Sequence, residues 1–234
     1  MAEVAIDTRN RLLSALRPDD LALLAPHLSP VSLKLREMLE APNTAIEHVY
    51  FVETGIVSVV AKSKRHRRVE AGLVGWEGMT GLSIVMADDR SPNETYVQAA
   101  GSAHRLSADH LRQALATSAL LQRLLLRYAQ AFLIQTAQTA LTNGTAKIEE
   151  RLARWILMSH DRLGDDLPLT HEFLAVMLGV RRPGVTDALH RLEGRGLIRT
   201  SRGQIRVTDR PGIIVTAGGS YGVPEAEYER LLGV

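Results

Sequence analysis

Over residues 181–210 eight arginines stand against three acids, Asp187, Glu193 and Asp209. A local surplus of guanidinium groups attracts phosphates, and salt screens that attraction. Within the stretch, Val185, Leu189 and Leu192 recur at i, i+4, i+7, the spacing that buries one side of a helix. The other side carries Arg182, Pro183, Thr186, Asp187 and His190, the residues that a helix inserted into a DNA major groove would present. Arg182 suits a bidentate contact to guanine, and Asp187 suits acceptance from cytosine N4. Pro183 belongs in the first turn, where its missing N–H costs nothing. Thr170, Arg181, Arg195, Arg199 and Arg202 suit phosphate oxygens, contacts that position a reader without reading sequence. A solvated basic face and solubilising roles for Asp187 and His190 are the alternatives.

These residues need a scaffold, and the flanking sequence supplies one. Thr170 can cap a helix running through Leu178, Gly179 makes a tight turn, and a second helix follows from Arg182 to Glu193. Residues 197–200 and 204–207 form two strands about a basic turn, Ser201-Arg202-Gly203, which reads as a wing. Helix pairs joined by glycine turns are common in enzymes; the wing and the arginines are what point to DNA.

Upstream, residues 118–142 lack proline and glycine and read as one long helix. Leu121, Leu124, Tyr128, Ala131, Gln135, Gln138 and Thr142 lie 3 and 4 residues apart in alternation, the spacing of a seam against a partner helix. This predicts a homodimer interface, although the same spacing also serves a helix packed on its own domain. Asn143-Gly144 offers a stop and a hinge. Residues 30–106 hold short alternating or β-branched runs punctuated by turn residues, the texture of an antiparallel roll, sandwich or barrel. Leucines from Leu12 to Leu28 predict short N-terminal helices, with Pro18-Asp19-Asp20 opening one. The expected domains are 1–117, a β domain with flanking helices; 118–143, the long helix and hinge; 144–216, a winged helix–turn–helix; and 217–234, a tail with a short helix after Pro224.

Composition narrows the alternatives. The chain has 234 residues, 45% hydrophobic and 23% charged, as globular proteins have. No apolar run approaches the roughly 20 residues of a membrane span, and residues 1–10 carry no secretory pattern, so a soluble cytoplasmic protein without membrane contact is expected. The net charge of +2 alone demands no polyanion. Zero cysteines exclude thiolate catalysis, cysteine-ligated zinc and ordinary iron–sulfur clusters. A cupin-type metal enzyme with a helical tail is the alternative function, but His48, His66 and His104 are widely separated and form no His-x-His pair. No cofactor is expected. Residues 62–68 carry five basic residues and read as an exposed hairpin tip with no ligand site.

The order of parts resembles the Crp/Fnr family of bacterial transcription regulators, relatives of the cyclic AMP receptor protein. Residues 49–59 (VYFVETGIVSV) look like the family's strand–Gly–strand hairpin, 78–82 (GMTGL) like its cyclic-nucleotide cassette, and 169–198 like its DNA-reading motif. The resemblance implies an α+β protein: an N-terminal cupin-like, cyclic-nucleotide-binding-like β-roll, a long dimerisation helix and a C-terminal winged helix–turn–helix. It implies a non-enzymatic regulator, dimeric on a palindromic operator, acting through RNA polymerase and open to a small-molecule effector. The effector pocket would include Gly78, Met79, Thr80, Gly81, Asn93, Glu94 and Thr136. Met79 stands where cyclic-AMP-binding members place glutamate, and Asn93-Glu94 where they place Arg-Ser, so cyclic AMP is not the expected effector. Of the family's Arg, Glu, Arg base readers at positions 182, 183 and 187, only Arg182 is kept, so the operator differs too.

Overall fold

The computed structural model describes residues 6–65 and 67–233. Short helices α1 (Arg11–Ser14) and α2 (Pro18–Leu24) lead into strands β1 (Ser29–Leu33), β2 (Met38–Glu40), β3 (His48–Lys62) and β4 (Arg68–Val74). Then come α3 (Leu82–Val85), β5 (Glu94–Ser107), α4 (Ala108–Thr117) and the long α5 (Ala119–Thr145). The C-terminal part contains α6 (Ile148–Leu163), β6 (Asp166–Leu167), α7 (His171–Leu178), α8 (Arg182–Gly194), β7 (Ile198–Ser201) and β8 (Gln204–Val207). Two further helices, α9 (Arg210–Thr216) and α10 (Val223–Leu232), end the chain.

The N-terminal sheet is antiparallel in the order β1-β5-β3-β4, with β2 also on β5. Residues 49–59 form one long bent strand rather than a hairpin. Gly55 sits at a bulge with φ +87°, and a Cβ there would stand 2.5 Å from the Ala99 carbonyl. An extra residue in one strand bends the ladder without ending it, which is why Gly55 and Gly101 read as turns in the sequence and lie inside β3 and β5.

Helix α5 packs on β4, the edge strand of this sheet. The Gln135 side chain accepts from the Leu73 N–H at 2.7 Å and donates to the Leu73 carbonyl at 3.3 Å. An open edge leaves such backbone groups unpaired, and one glutamine amide satisfies both. The approach is close: a Cβ on Gly72 would meet Phe132 at 2.9 Å, and one on Gly78 would meet the Tyr128 hydroxyl at 2.1 Å.

This packing corrects the expected dimer seam. Leu121, Tyr128 and Ala131 are buried against their own protomer, Leu124 packs on the same core, and Gln135 is bonded to β4. Gln138 lies on the same half-buried side. The solvent face of α5 is instead Arg123, Leu126, Gln130, Leu133, Ala137 and Ala140, all exposed and again 3 and 4 residues apart. The expected hinge also moves. Asn143 and Gly144 are helical, Asn143 accepts from Arg151 Nε at 3.0 Å, and the extended break falls at Ala146 and Lys147.

The C-terminal unit has its own core, Leu174, Met177, Leu178, Val185, Leu189, Leu192 and Ile205 among others, and docks on the β domain. Arg162 and Glu77 form a 2.5 Å ion pair across this junction, and Trp76 donates to the Asp161 carbonyl at 3.3 Å. Gln98 of β5 donates to the Met177 sulfur of α7 at 3.1 Å. The tail folds back: α10 lies along α5, and the Tyr228 hydroxyl donates to the Glu77 carbonyl at 2.6 Å.

Glu70 on β4 is buried beneath this junction, and neither carboxyl oxygen has a hydrogen-bond partner among the described residues. Burial pushes its pKa up to about 8, against smaller opposing effects of Ser58, Arg162 and Arg68. An unfolded chain releases this proton near 4.5 while the folded chain keeps it, so its contribution to stability falls as pH rises from 4.5 to about 8. The advantage of Glu70→Gln in melting temperature is therefore expected to grow over that window. Parallel melting curves for the two proteins would remove this role for Glu70.

Candidate nucleic-acid interface

The two helices α7 and α8 are set by local signals. Thr170 caps α7 by accepting from the Phe173 N–H at 3.2 Å. Gly179, at φ +60°, ends α7 in the left-handed conformation that glycine adopts without strain. Arg181 is extended at the N-cap of α8, and Pro183 occupies its first turn. Val185, Ala188, Leu189 and Leu192 are buried. The opposite face follows geometrically: Arg182, Pro183, Asp187 and His190 are exposed together. Thr186 differs, because it is half-buried and its hydroxyl hydrogen-bonds His171 Nδ1 at 3.1 Å, tying α8 to α7.

Strands β7 and β8 pair in the register Ile198–Val207 to Ser201–Gln204, forming the expected wing, and β6 adds a third strand on β8. The arginines of this unit divide into two groups. Arg191 pairs with Glu149, Arg206 with Asp166 at 2.6 Å and Arg210 with Asp161 at 2.8 Å. Arg181, Arg182, Arg195, Arg199 and Arg202 are exposed and take part in no ion pair among the described residues. The structure thus leaves uncompensated the five arginines singled out for DNA.

A cavity of about 370 Å³ lies between the sheet, α3 and α5. Met79, Thr80, Gly81, Asn93 and Thr136, which the resemblance assigns to an effector pocket, line it. Two expected residues do not. Gly78 is packed beneath the Tyr128 ring, and Glu94 is buried away from the cavity, held by Lys62 at 3.3 Å and Arg68 at 2.7 Å. Neighbouring residues of a strand point to opposite faces, so Thr95 lines the cavity and Glu94 cannot. The carboxylate that does line it is Glu40, which the sequence reading missed. It accepts from the Gly81 N–H at 2.6 Å and from the Thr95 hydroxyl at 2.9 Å, and burial raises its pKa despite these bonds. A lone glutamate in a three-residue strand carries no local signal of such a role. Among the described residues no lysine, arginine or histidine lines the cavity, and Arg90 is exposed and paired with Asp89.

The remaining histidine candidates do not converge. His104 pairs with Glu53 at 2.9 Å, and His66 lies outside the described residues. No group of three or more metal-ligating side chains is found among the described residues. No described helix is long and apolar enough to cross a membrane.

Residues 150–214 match the family of the Crp-like helix-turn-helix domain. Among solved structures, the chain is similar to FixK2 from Bradyrhizobium japonicum, with 19% identity, 81% of this chain and 96% of that one covered, and a TM-score of 0.70. It is also similar to a transcriptional regulator of the Crp/Fnr family from Eubacterium rectale, at 18% identity, 89% and 98% coverage and a TM-score of 0.71. A third similar structure is the c-di-GMP-responsive regulator CLP of Xanthomonas campestris, at 17% identity, 82% and 99% coverage and a TM-score of 0.64. No curated protein sequence matches the chain. Residues 150–214 thus form a Crp-like helix-turn-helix domain, and the chain shares its fold over most of its length with these three structures.

Proposed function

We propose that the chain works as a homodimer that reads a two-fold symmetric operator and regulates transcription through RNA polymerase. The observation that carries this reading is the exposed face of α8 beside unpaired arginines in its flanks and wing. Arg182, Pro183, Asp187 and His190 face the bases; Thr186 braces α8 from behind. Arg181, Arg195, Arg199, Arg202 and the Thr170 hydroxyl hold phosphates, and the two half-sites lie about 10–10.5 base pairs apart. The match of residues 150–214 to the Crp-like helix-turn-helix domain supports this reading over the metal-enzyme alternative.

The partner helix docks on the exposed face of α5, where Leu126 and Leu133 are 43% and 60% exposed and one heptad apart. Both also line the cavity, so the second protomer would lie across its mouth. An effector held there biases how the two helices meet, and with them the reading heads, through a shift of populations at the Ala146–Lys147 break. Any such movement must part Arg162 from Glu77 or carry both along.

Cyclic AMP does not suit the cavity. A buried phosphate charge needs a partner, yet the lining holds no cation, and Glu40 already occupies the Gly81 N–H. The basis for this differs from the sequence reading, since Glu94 does not face the cavity.

Three outcomes follow. Arg182→Ala is expected to cost about 1–3 kcal/mol at a selected operator and to relax preference at one base pair; equal loss on random duplex would reassign Arg182 to phosphate. Leu126→Glu with Leu133→Glu should give monomers by sedimentation that bind operator poorly, whereas Leu124 and Ala131 substitutions should lower stability first. Dimers from the Leu126/Leu133 variant would overturn the interface. Excess cyclic AMP should leave both melting temperature and operator affinity unchanged, and a rise in either would reinstate it as effector.

A further inference from the structure

The hairpin joining β3 to β4 holds a second set of cations that the reading unit does not absorb. At its base Lys62 and Arg68 are neutralised together by Glu94. At its tip Lys64, Arg65 and Arg67 are exposed and in no ion pair among the described residues. The tip is held in shape: the Ser63 N–H donates to the Arg67 carbonyl at 2.9 Å, and the Arg67 N–H donates to the Ser63 hydroxyl at 3.2 Å. Ser63 and Arg67 are therefore tied together on the two sides of the tip.

The hairpin lies beside the DNA-reading helices. Val69, just past the tip, packs on the turn between α7 and α8: its Cγ2 lies 3.0 Å from where a Cβ on Gly179 would stand. Arg36 approaches Glu172 at 3.9 Å and covers the Phe173 ring, so α7 is anchored along the same side of the sheet. Arg67 is two residues from this contact on one chain segment, and Arg181 is two residues from it on the other. At about 3.3 Å per residue, the two backbone positions fall within about 20 Å, comparable to a major groove about 12 Å wide with its flanking phosphates.

Like charges brought within this distance repel, and Glu172, the acid of α7, is paired with Arg36. A phosphate backbone passing between the clusters converts this repulsion into attraction on both sides. An acidic or neutral tip in the same place would only obstruct the duplex.

We propose that the β3–β4 hairpin tip is a second DNA-gripping arm, in which Lys64, Arg65 and Arg67 hold backbone phosphates beside the base pairs read by α8. The proposal rests on the DNA-binding reading above and adds a contact supplied by the sensor domain itself. It also makes the docking of α7 on β4 part of the binding-competent arrangement.

The test uses the full chain with Lys64→Ala, Arg65→Ala and Arg67→Ala combined, titrated against a selected operator and a random duplex over a range of KCl. Each phosphate contact contributes about 0.9 to the slope of log affinity against log salt. The triple variant is expected to lose two or three such increments. Its affinity should fall by about tenfold or more on both duplexes alike, with base preference at the operator intact. Arg65→Lys with Arg67→Lys, which keeps the charge, should restore the slope. An unchanged slope with wild-type affinity overturns the arm while leaving the α8 reader standing, and so does tighter binding by the triple variant, which would make the hairpin an obstruction. A wild-type protein that retains no duplex at low salt removes the DNA-binding reading itself.

Discussion

The Gln135 amide across the backbone of Leu73 is the constraint on which the rest of the molecule turns. β4 is the exposed edge of the sheet, and its open N–H and carbonyl need partners that water or another strand would otherwise supply. A glutamine on α5 provides both at once, and Tyr128, one heptad earlier, anchors the same helix by donating to the Met79 carbonyl at 3.2 Å. Glycines at 72 and 78 let the helix come this close. Once that face of α5 is committed to its own sheet, the opposite face, from Arg123 to Ala140, is the one left open to solvent. The cavity between β-roll and helix is shaped by the same commitment.

Charge is distributed with comparable economy. Glu94 neutralises the base of the hairpin, Glu77 takes the buried Arg162, and Asp161 and Asp166 hold Arg210 and Arg206. The exposed Arg206–Asp166 pair contributes little to stability, but all of these pairs decide where positive charge is neutralised. Exposed cations in no ion pair among the described residues remain on α8, in the wing, at Arg181 and at the hairpin tip. In the cavity the logic runs the other way: Glu40 is buried in no ion pair among the described residues, satisfied by the Gly81 N–H and the Thr95 hydroxyl. That space is lined by hydroxyls, amides, the Glu40 carboxyl and apolar walls.

The reading unit was legible because its signals are local. A threonine cap, a glycine turn, a proline in the first helical turn and two strands about Ser201-Arg202-Gly203 each specify backbone geometry within a few residues, and the i, i+4, i+7 leucines fix which side of α8 is buried. The bent strands were less legible, since a glycine at a bulge and a glycine at a turn look alike until the partner strand is present. The tail carried no legible role. Its helix acquires one only on returning to α5 and the Glu77 carbonyl.

Periodicity and turn chemistry alone determined that a region of short strands, a long helix and a helix pair with a wing follow one another, and which side of α8 faces outward. They could not decide which of two interleaved 3,4-spaced faces of α5 meets the sheet, because periodicity records that a face is buried and not what buries it. They also could not place Glu94 or Glu40. Strand register sends one carboxylate to Lys62 and Arg68 and brings the other to the cavity, and register is settled only when strands far apart in sequence pair.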